Sequence, residues 1–340
     1  MAQLNPRRQA VLAIVVQEYI ATAQPVGSKM VVEEYGLGVS SATIRNEMKV
    51  LEEQGYLTHP HTSAGRVPTE EGYRYFVQHL LPDRPLSVDD QLMIQHQFHQ
   101  VGQETEQWAQ LATAVLAHSA RMVALATPVR ADQCRFKHVE LVEVRHGLVL
   151  LVLVLHQGMI KQQMLNVDYQ VTQGELSRIS NQLNDLLADK TLADIEHVAP
   201  VLSSLGQQLL QLIQDVMARE DSADAEQVYR EGLSHILLQP EFANTEDAQH
   251  LVTVLEQPPV LGSIFEGVRQ REGVQILIGG DGRYEPLRDV TLVLSRYGVA
   301  RRALGVLGLV GPVRMPYGRT IPLVRYVAQV MSGLVQEWYG

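Results

Sequence analysis

Along the first hundred residues the apolar positions recur every three or four, whereas from His138 to Val167, and again from Val274 to Val310, they alternate or run together. The first spacing belongs to helices packed on one side and the second to strands. Asn5-Pro6 sets a capping side chain before a proline suited to the first helical position, and Val11, Leu12, Val15 and Tyr19 follow on one stripe. Pro25-Val26-Gly27 interrupts that helix. Ser28 to Tyr35 reads as a short second helix, and Gly36-Leu37-Gly38 as a turn of the length that joins two crossed helices. A third helix is predicted between Ser40 as N-cap and Gly55 as the residue beyond its C-terminus. Its Ile44, Met48 and Leu51 face one way, and Ala42, Arg45, Asn46 and Lys49 the other. Tyr56-Leu57-Thr58 then reads as a strand, His59 to Gly65 as a polar turn and Arg66-Val67 as the returning strand. Pro68-Thr69 opens a further helix through Phe76.

Helix, helix, turn, helix and two-stranded wing is the order of a winged helix-turn-helix, and it gives the third helix a chemical reading. Arginine pairs bidentately with guanine and asparagine with adenine in the major groove, so Arg45, Asn46 and Lys49 are the candidates for reading bases. Ser40, Ser41 and Thr43 at the helix start are placed to meet phosphates, as are His61, Thr62, Ser63, the Gly65 backbone and Arg66 in the wing. Such contacts set register without reading sequence. A solvated helix with a basic outer face is the plainer reading of the same periodicity; the turn and the wing shift the balance toward DNA.

Downstream, Leu81-Pro-Asp-Arg-Pro-Leu86 is a linker, Ser87 caps a connector helix, and Trp108, Leu111, Ala112, Val115, Leu116 and Ser119 share a face of the next helix. Strands are predicted at His138–Arg145, Leu148–Leu155 and Met159–Val167, with tight turns at His146-Gly147 and Gln157-Gly158. Three more are predicted at Val274–Ile278, Asp289–Arg296 and Ala303–Val310, before a closing helix from Ile321 to about Trp338. Six strands with flanking helices make one α+β domain. Leu148–Leu155, the longest apolar run, has the length of a fully buried strand and is too short to span a bilayer. Between the strand groups, Thr172-x-x-Glu175 is a capping box ahead of a stripe of Leu176, Ile179, Leu183, Leu186 and Leu187. Leu202, Leu205, Leu209, Leu212 and Val216 form a coiled-coil-like seam, open to packing within the chain or on a second subunit.

The runs SATIRNEMKVLEEQGYL and PHTSAGRVPTEEGYRYF strongly resemble the heat-inducible transcription repressors of the HrcA family. Tyr229 to Leu233, Gln239 to Phe242, Leu304 to Pro312 and Arg314 to Tyr317 follow in the family's order. The resemblance implies a homodimer that binds an inverted-repeat operator called CIRCE, silences chaperone operons until heat stress releases it, and is modulated by the chaperonin GroEL. It also implies a multidomain α+β fold: a winged helix-turn-helix over 1–80, a linker and connector helix over 81–104, and a GAF-like α+β domain formed by 105–168 and 223–340. A mainly helical dimerising domain is then inserted at 169–222, with the Leu202, Leu205, Leu209, Leu212 and Val216 seam as its contact.

Composition narrows the alternatives. The net charge of −10 is unusual for a DNA-binding chain, yet residues 1–80 hold seven Lys or Arg against eight Asp or Glu, so most of the excess lies outside the winged helix. The single cysteine, Cys134, excludes an intramolecular disulfide and reads as a passive thiol. His59-Pro60-His61 lacks further ligands at metal-binding spacing, so neither metal nor cofactor is expected. No charged-then-apolar segment opens the chain, which predicts a cytoplasmic, nucleoid-associated protein with no membrane partner. Neither phosphate-loop, dinucleotide, nucleophile-elbow nor zincin signatures occur, so no enzyme is expected. Gly305, Gly308 and Gly311 read instead as places where a backbone comes close. The alternative kept beside the heat-shock repressor is a winged-helix regulator whose GAF-like domain senses a small-molecule effector.

Overall fold

A computed structural model describes residues 4–60, 65–99, 105–129, 134–156, 159–167, 171–196, 202–221, 227–242, 249, 251–253, 255, 258–279, 287–300 and 302–339. The chain divides into two compact units. One comprises Met1–Val129, Gln227–Gly298 and Gly305–Gln336, the other Arg130–Glu226, Val299–Leu304 and Glu337–Gly340.

The first unit begins with helices α1 (Pro6–Thr22), α2 (Ser28–Tyr35) and α3 (Ser41–Glu53). Asn5 caps α1 by accepting from the Arg8 amide at 2.9 Å, and Ser40 caps α3 by accepting from the Thr43 amide at 3.2 Å. Gly36 and Gly38 take left-handed φ values of 56° and 67°, which is how the chain reverses between α2 and α3 in so few residues. Strand β1 (Leu57–Thr58) pairs antiparallel with β2 (Val67–Pro68). A third segment joins them, since Val26 and Arg66 exchange main-chain hydrogen bonds of 2.8 and 2.9 Å. Helix α4 (Glu70–Tyr75) continues as a π turn over Phe76–Leu80. Val11, Leu12, Val15, Ile44, Leu51 and Leu57 are buried together beneath these elements.

The same unit continues through α5 (Val88–His99), whose first turn is capped by Ser87, and α6 (Thr105–Ala120). Its sheet contains β3 (Val123–Ala126), β7 (Tyr229–Glu231), β8 (Val274–Ile278), β9 (Val290–Val299) and β10 (Ala303–Pro312), in the order β7-β3-β10-β9-β8. Helices α10 (Leu233–Leu237), α11 (Pro258–Arg269) and α12 (Tyr317–Tyr339) complete it. Every residue of β10 is buried. A Cβ at Gly308 would stand 2.1 Å from the Val293 carbonyl oxygen, and one at Gly305 2.5 Å from the Tyr297 ring, so these glycines do admit close neighbours.

The second unit contains an antiparallel sheet of β4 (Phe136–Arg145), β5 (Leu148–Leu155) and β6 (Ile160–Asn166). With it are α7 (Gln173–Leu187), α8 (Leu192–Glu196) and α9 (Ser204–Asp221). The Thr172–Glu175 capping box forms as expected. Two amide side chains of α7 bind the edge of β4. Asn184 accepts from the Val139 amide at 2.7 Å and donates to its carbonyl at 3.0 Å, while Gln173 accepts from Glu143 N and donates to Leu141 O, each at 2.8 Å. Main-chain groups that an edge strand would leave open are thereby satisfied.

Five expectations change here. The six predicted strands do not belong to one domain: β4, β5 and β6 pair as strands only with one another and pack with α7 and α9 in one apolar core. The division therefore falls near residue 130 rather than 169, and the inserted part is mixed α and β rather than mainly helical. Strand β5 is not fully buried but alternates, with Val149, Leu151, Leu153 and Leu155 inward and Leu148, Leu150, Val152 and Val154 half-buried on the other face. Finally, Leu202, Leu205 and Leu209 of the seam are buried inside this unit's own core, with Leu212 and Val216 packed against it. An amphipathic helix beside an open sheet face covers that face first, so Leu202, Leu205 and Leu209 are engaged within the chain, and Leu212 and Val216 keep only part of their surface.

Cys134 sits at the rim of this core, its amide donating to Asp221 Oδ1 at 2.6 Å. Burial first, and then the nearby Asp221, push its thiol up to about 12. Iodoacetamide at pH 8 should accordingly leave the native protein unlabelled and modify it only with denaturant present, as read by intact mass.

Candidate nucleic-acid interface

Helix α3 presents the predicted reading face. Its Ile44, Met48 and Leu51 are buried while Arg45, Asn46 and Lys49 are exposed, which the 100° step between residues imposes once one stripe is anchored. Among the described residues the side chains of Arg45 and Asn46 have neither a hydrogen-bond nor an ion-pair partner. Lys49 lies 3.7 Å from Glu53, both largely exposed, a pairing weak enough to exchange for a stronger acceptor. At the helix start Ser40 is engaged as cap, its Oγ also 3.0 Å from Thr43 Oγ1, and Ser41 and Thr43 are partly exposed beside it.

The remaining cations of this region are mostly paired. Glu47 holds Arg8 at 2.9 Å and Arg7 at 3.6 Å, and Glu52 holds Arg66 at 2.7 Å and also bonds His59. Arg66 is thus turned against the base of the wing, not displayed from it, and its Nε is buried without a partner among the described residues. Gly65 has a structural reason as well: a Cβ there would lie 2.5 Å from the Val26 carbonyl oxygen, so only glycine lets the wing strand run beside Pro25-Val26. His61, Thr62 and Ser63 fall outside the described residues.

Lys29, in the first turn of α2, is exposed and without an acidic partner among the described residues. It was not singled out from sequence. The signal that could have found it is positional, since in a helix-turn-helix the helix before the recognition helix crosses the backbone. Across α2, the Tyr35 hydroxyl donates to Glu18 of α1, and that bond, followed by burial, pushes the phenol up to about 12.

A family profile described as the HrcA protein C terminal domain matches residues 106–321. The heat-inducible transcription repressor HrcA of Roseiflexus castenholzii is 44% identical over 99% of this chain and 96% of its own length, and that of Herpetosiphon aurantiacus is 45% identical over 99% and 97%. The chain belongs to the HrcA family. Relatives in that family are named transcription repressors under heat-inducible control, a role without catalysis. A crystal structure of a hypothetical protein has a similar fold, with a TM-score of 0.61 at 24% identity and 98% of each chain covered; that likeness extends to fold alone. No group of three or more metal-ligating side chains occurs among the described residues, and none of their helices is long and apolar enough to cross a membrane.

Proposed function

We propose that this chain is a sequence-specific repressor of heat-shock chaperone operons, binding an inverted-repeat operator of the CIRCE type as a homodimer and released by heat. The observation that carries the reading is the pair Arg45 and Asn46, exposed side by side on α3 with unpartnered side chains. A guanidinium and a carboxamide at that position are the groups the major groove selects. Lys49 joins them in base reading. Ser40, Ser41, Thr43, Lys29 and the wing residues His61, Thr62, Ser63, Gly65 and Arg66 serve the backbone, with Arg66 acting mainly by fixing the wing through Glu52.

Support for a dimer lies in the outer face of the second unit's sheet. Val142, Leu150 and Met164 stand in one cross-strand row, Val154 and Ile160 pair in another, and Val142, Ile160 and Met164 are 40%, 59% and 50% exposed. Val152 lies between the two rows, flanked by Glu140 and Gln162, and exposed apolar side chains gathered on one sheet face mark a contact. GroEL enters as modulator through the family resemblance, and placement near the nucleoid follows from the operator.

The decisive experiment is a titration of purified protein on the inverted repeat, one half-site and a scrambled duplex, across salt and temperature, with and without GroEL. Selective binding to the inverted repeat that weakens on heating is expected; equal affinity for all three duplexes would sink the reading. Within it, Arg45→Ala should cost roughly 1–3 kcal/mol on the operator and blur base preference at its contact, whereas Arg66→Ala should weaken every duplex alike. Matching losses on operator and scrambled DNA for Arg45→Ala, or a loss confined to the operator for Arg66→Ala, would contradict these roles.

The alternative, control by a small-molecule effector, has one observation in its favour. A cavity of about 1360 Å³ in the first unit is lined by apolar Ile94, Leu111 and Val115 together with basic Arg121 and Arg319 and acidic Glu231 among others. A metabolite that raises the melting temperature and changes operator affinity would favour it.

A further inference from the structure

Arg314 follows β10, far along the chain from the DNA-binding helices, yet its guanidinium reaches them. Its side chain is 14% exposed. Nε donates to Glu241 Oε1, Nη2 to Glu241 Oε2 at 3.2 Å and to Gln239 Oε1 at 3.0 Å, and Nη1 to the main-chain oxygen of Ile20 at 3.3 Å. Ile20 lies in the last turn of α1, where carbonyls lack helical partners and the helix dipole favours a cation. The planar fork matters, because it serves carboxylate, amide and carbonyl at once; an ammonium cannot reproduce that geometry.

A second attachment lies at α4. Arg74 Nη2 donates to the Ile278 carbonyl at the end of β8, at 2.9 Å, while the same guanidinium pairs with Glu70 and Glu71. Gly279 follows directly with a left-handed φ of 60° that favours glycine, and the Glu70 carboxylate of α4 lies against it. The Tyr73 ring packs 6.0 Å from that of Tyr317. The first and last helices of the winged helix are therefore both fastened to the sheet that follows, while α3 keeps its reading face free.

We propose that Arg314 is a positioning residue for operator binding: it fixes the angle at which the sheet body presents α3, and so sets the half-site spacing that a dimer accepts. The proposal rests on the dimeric repressor reading above. Two recognition helices meet two half-sites only at a defined separation, and a loosely hinged head lowers the effective concentration of the second contact.

The test uses the full chain, titrated on a single half-site and on inverted repeats whose spacer is lengthened or shortened one base pair at a time. Wild type should prefer one spacer sharply. Arg314→Ala should keep its half-site affinity, lose about tenfold on the best spacer and show a flattened preference, with Arg314→Lys intermediate. Tyr73→Phe removes a hydroxyl without a partner among the described residues and keeps the ring, and should behave as wild type. If Arg314→Ala does not fold, Glu241→Gln should give the same flattening in milder form. A sharp, unshifted spacer preference in the Arg314 or Glu241 variant overturns the proposal, as does an equal loss on half-site and all spacers. A wild type indifferent to every inverted repeat overturns the repressor reading, and the positioning role with it.

Discussion

Val142→Glu combined with Met164→Glu should produce a folded monomer whose affinity for the inverted repeat is about a hundredfold lower while its half-site affinity is unchanged. Both side chains stand in the same cross-strand row of the second unit's sheet, on the face opposite its core, 40% and 50% exposed. Carboxylates there cost the isolated chain little, because they point to water. In a symmetric contact each would meet its own copy or an apolar neighbour, and like charges or unpaired buried charges oppose association strongly. Light scattering behind size exclusion gives the mass, and circular dichroism shows whether the fold survives. A dimer that persists would remove this face from the account. Glutamate at Leu209 is a useful contrast, since that position is 2% exposed within the core and should unfold the unit instead.

Gly308→Ala should destabilise the first unit by about 3 kcal/mol or more, lowering its melting temperature by roughly 10 °C. The added methyl would stand 2.1 Å from the Val293 carbonyl oxygen and 2.8 Å from Leu294 Cα, main-chain atoms of a central strand that cannot swing aside as a side chain can. Gly267→Ala, within α11, is the matched opposite. Its methyl meets nothing within 4 Å, so the gain in helix propensity, about 1 kcal/mol, should appear as a small stabilisation. Calorimetric melting of the two variants beside wild type separates a steric from a propensity effect.

Much of the first eighty residues, helices and a two-stranded sheet, was legible in sequence because its signals are local. Caps at Asn5 and Ser40, glycines at 36, 38 and 55, and a helical stripe each specify structure within a few residues. Which strands share a sheet was not legible. His138 to Val167 has the right period for strands, but whether they join β10 or close on themselves depends on what covers them, and α7 and α9 do so. Strand β3 was missed since its four residues, Val-Ala-Leu-Ala, are all buried and too few to show alternation; the helix before it ends at Arg121, which takes a left-handed φ of 53° without a glycine or proline to mark it. Strand β7 is a short, polar edge. On α3 the helical period placed Arg45, Asn46 and Lys49 on the exposed side, but it could not tell a displayed cation from one already engaged. Arg66 and Arg45 look alike in a string of letters, and only their distances from Glu52 and its neighbours part them.

The pairing of Arg7 and Arg8 with Glu47, and of Arg66 with Glu52, bears on how such a protein finds its target. Cations that already have carboxylate partners displace few condensed counterions when they near a duplex, so their contribution to non-specific affinity is small. On the proposed reading, binding to scrambled DNA should therefore fall only shallowly with salt, leaving discrimination to the few groups that remain unneutralised on arrival.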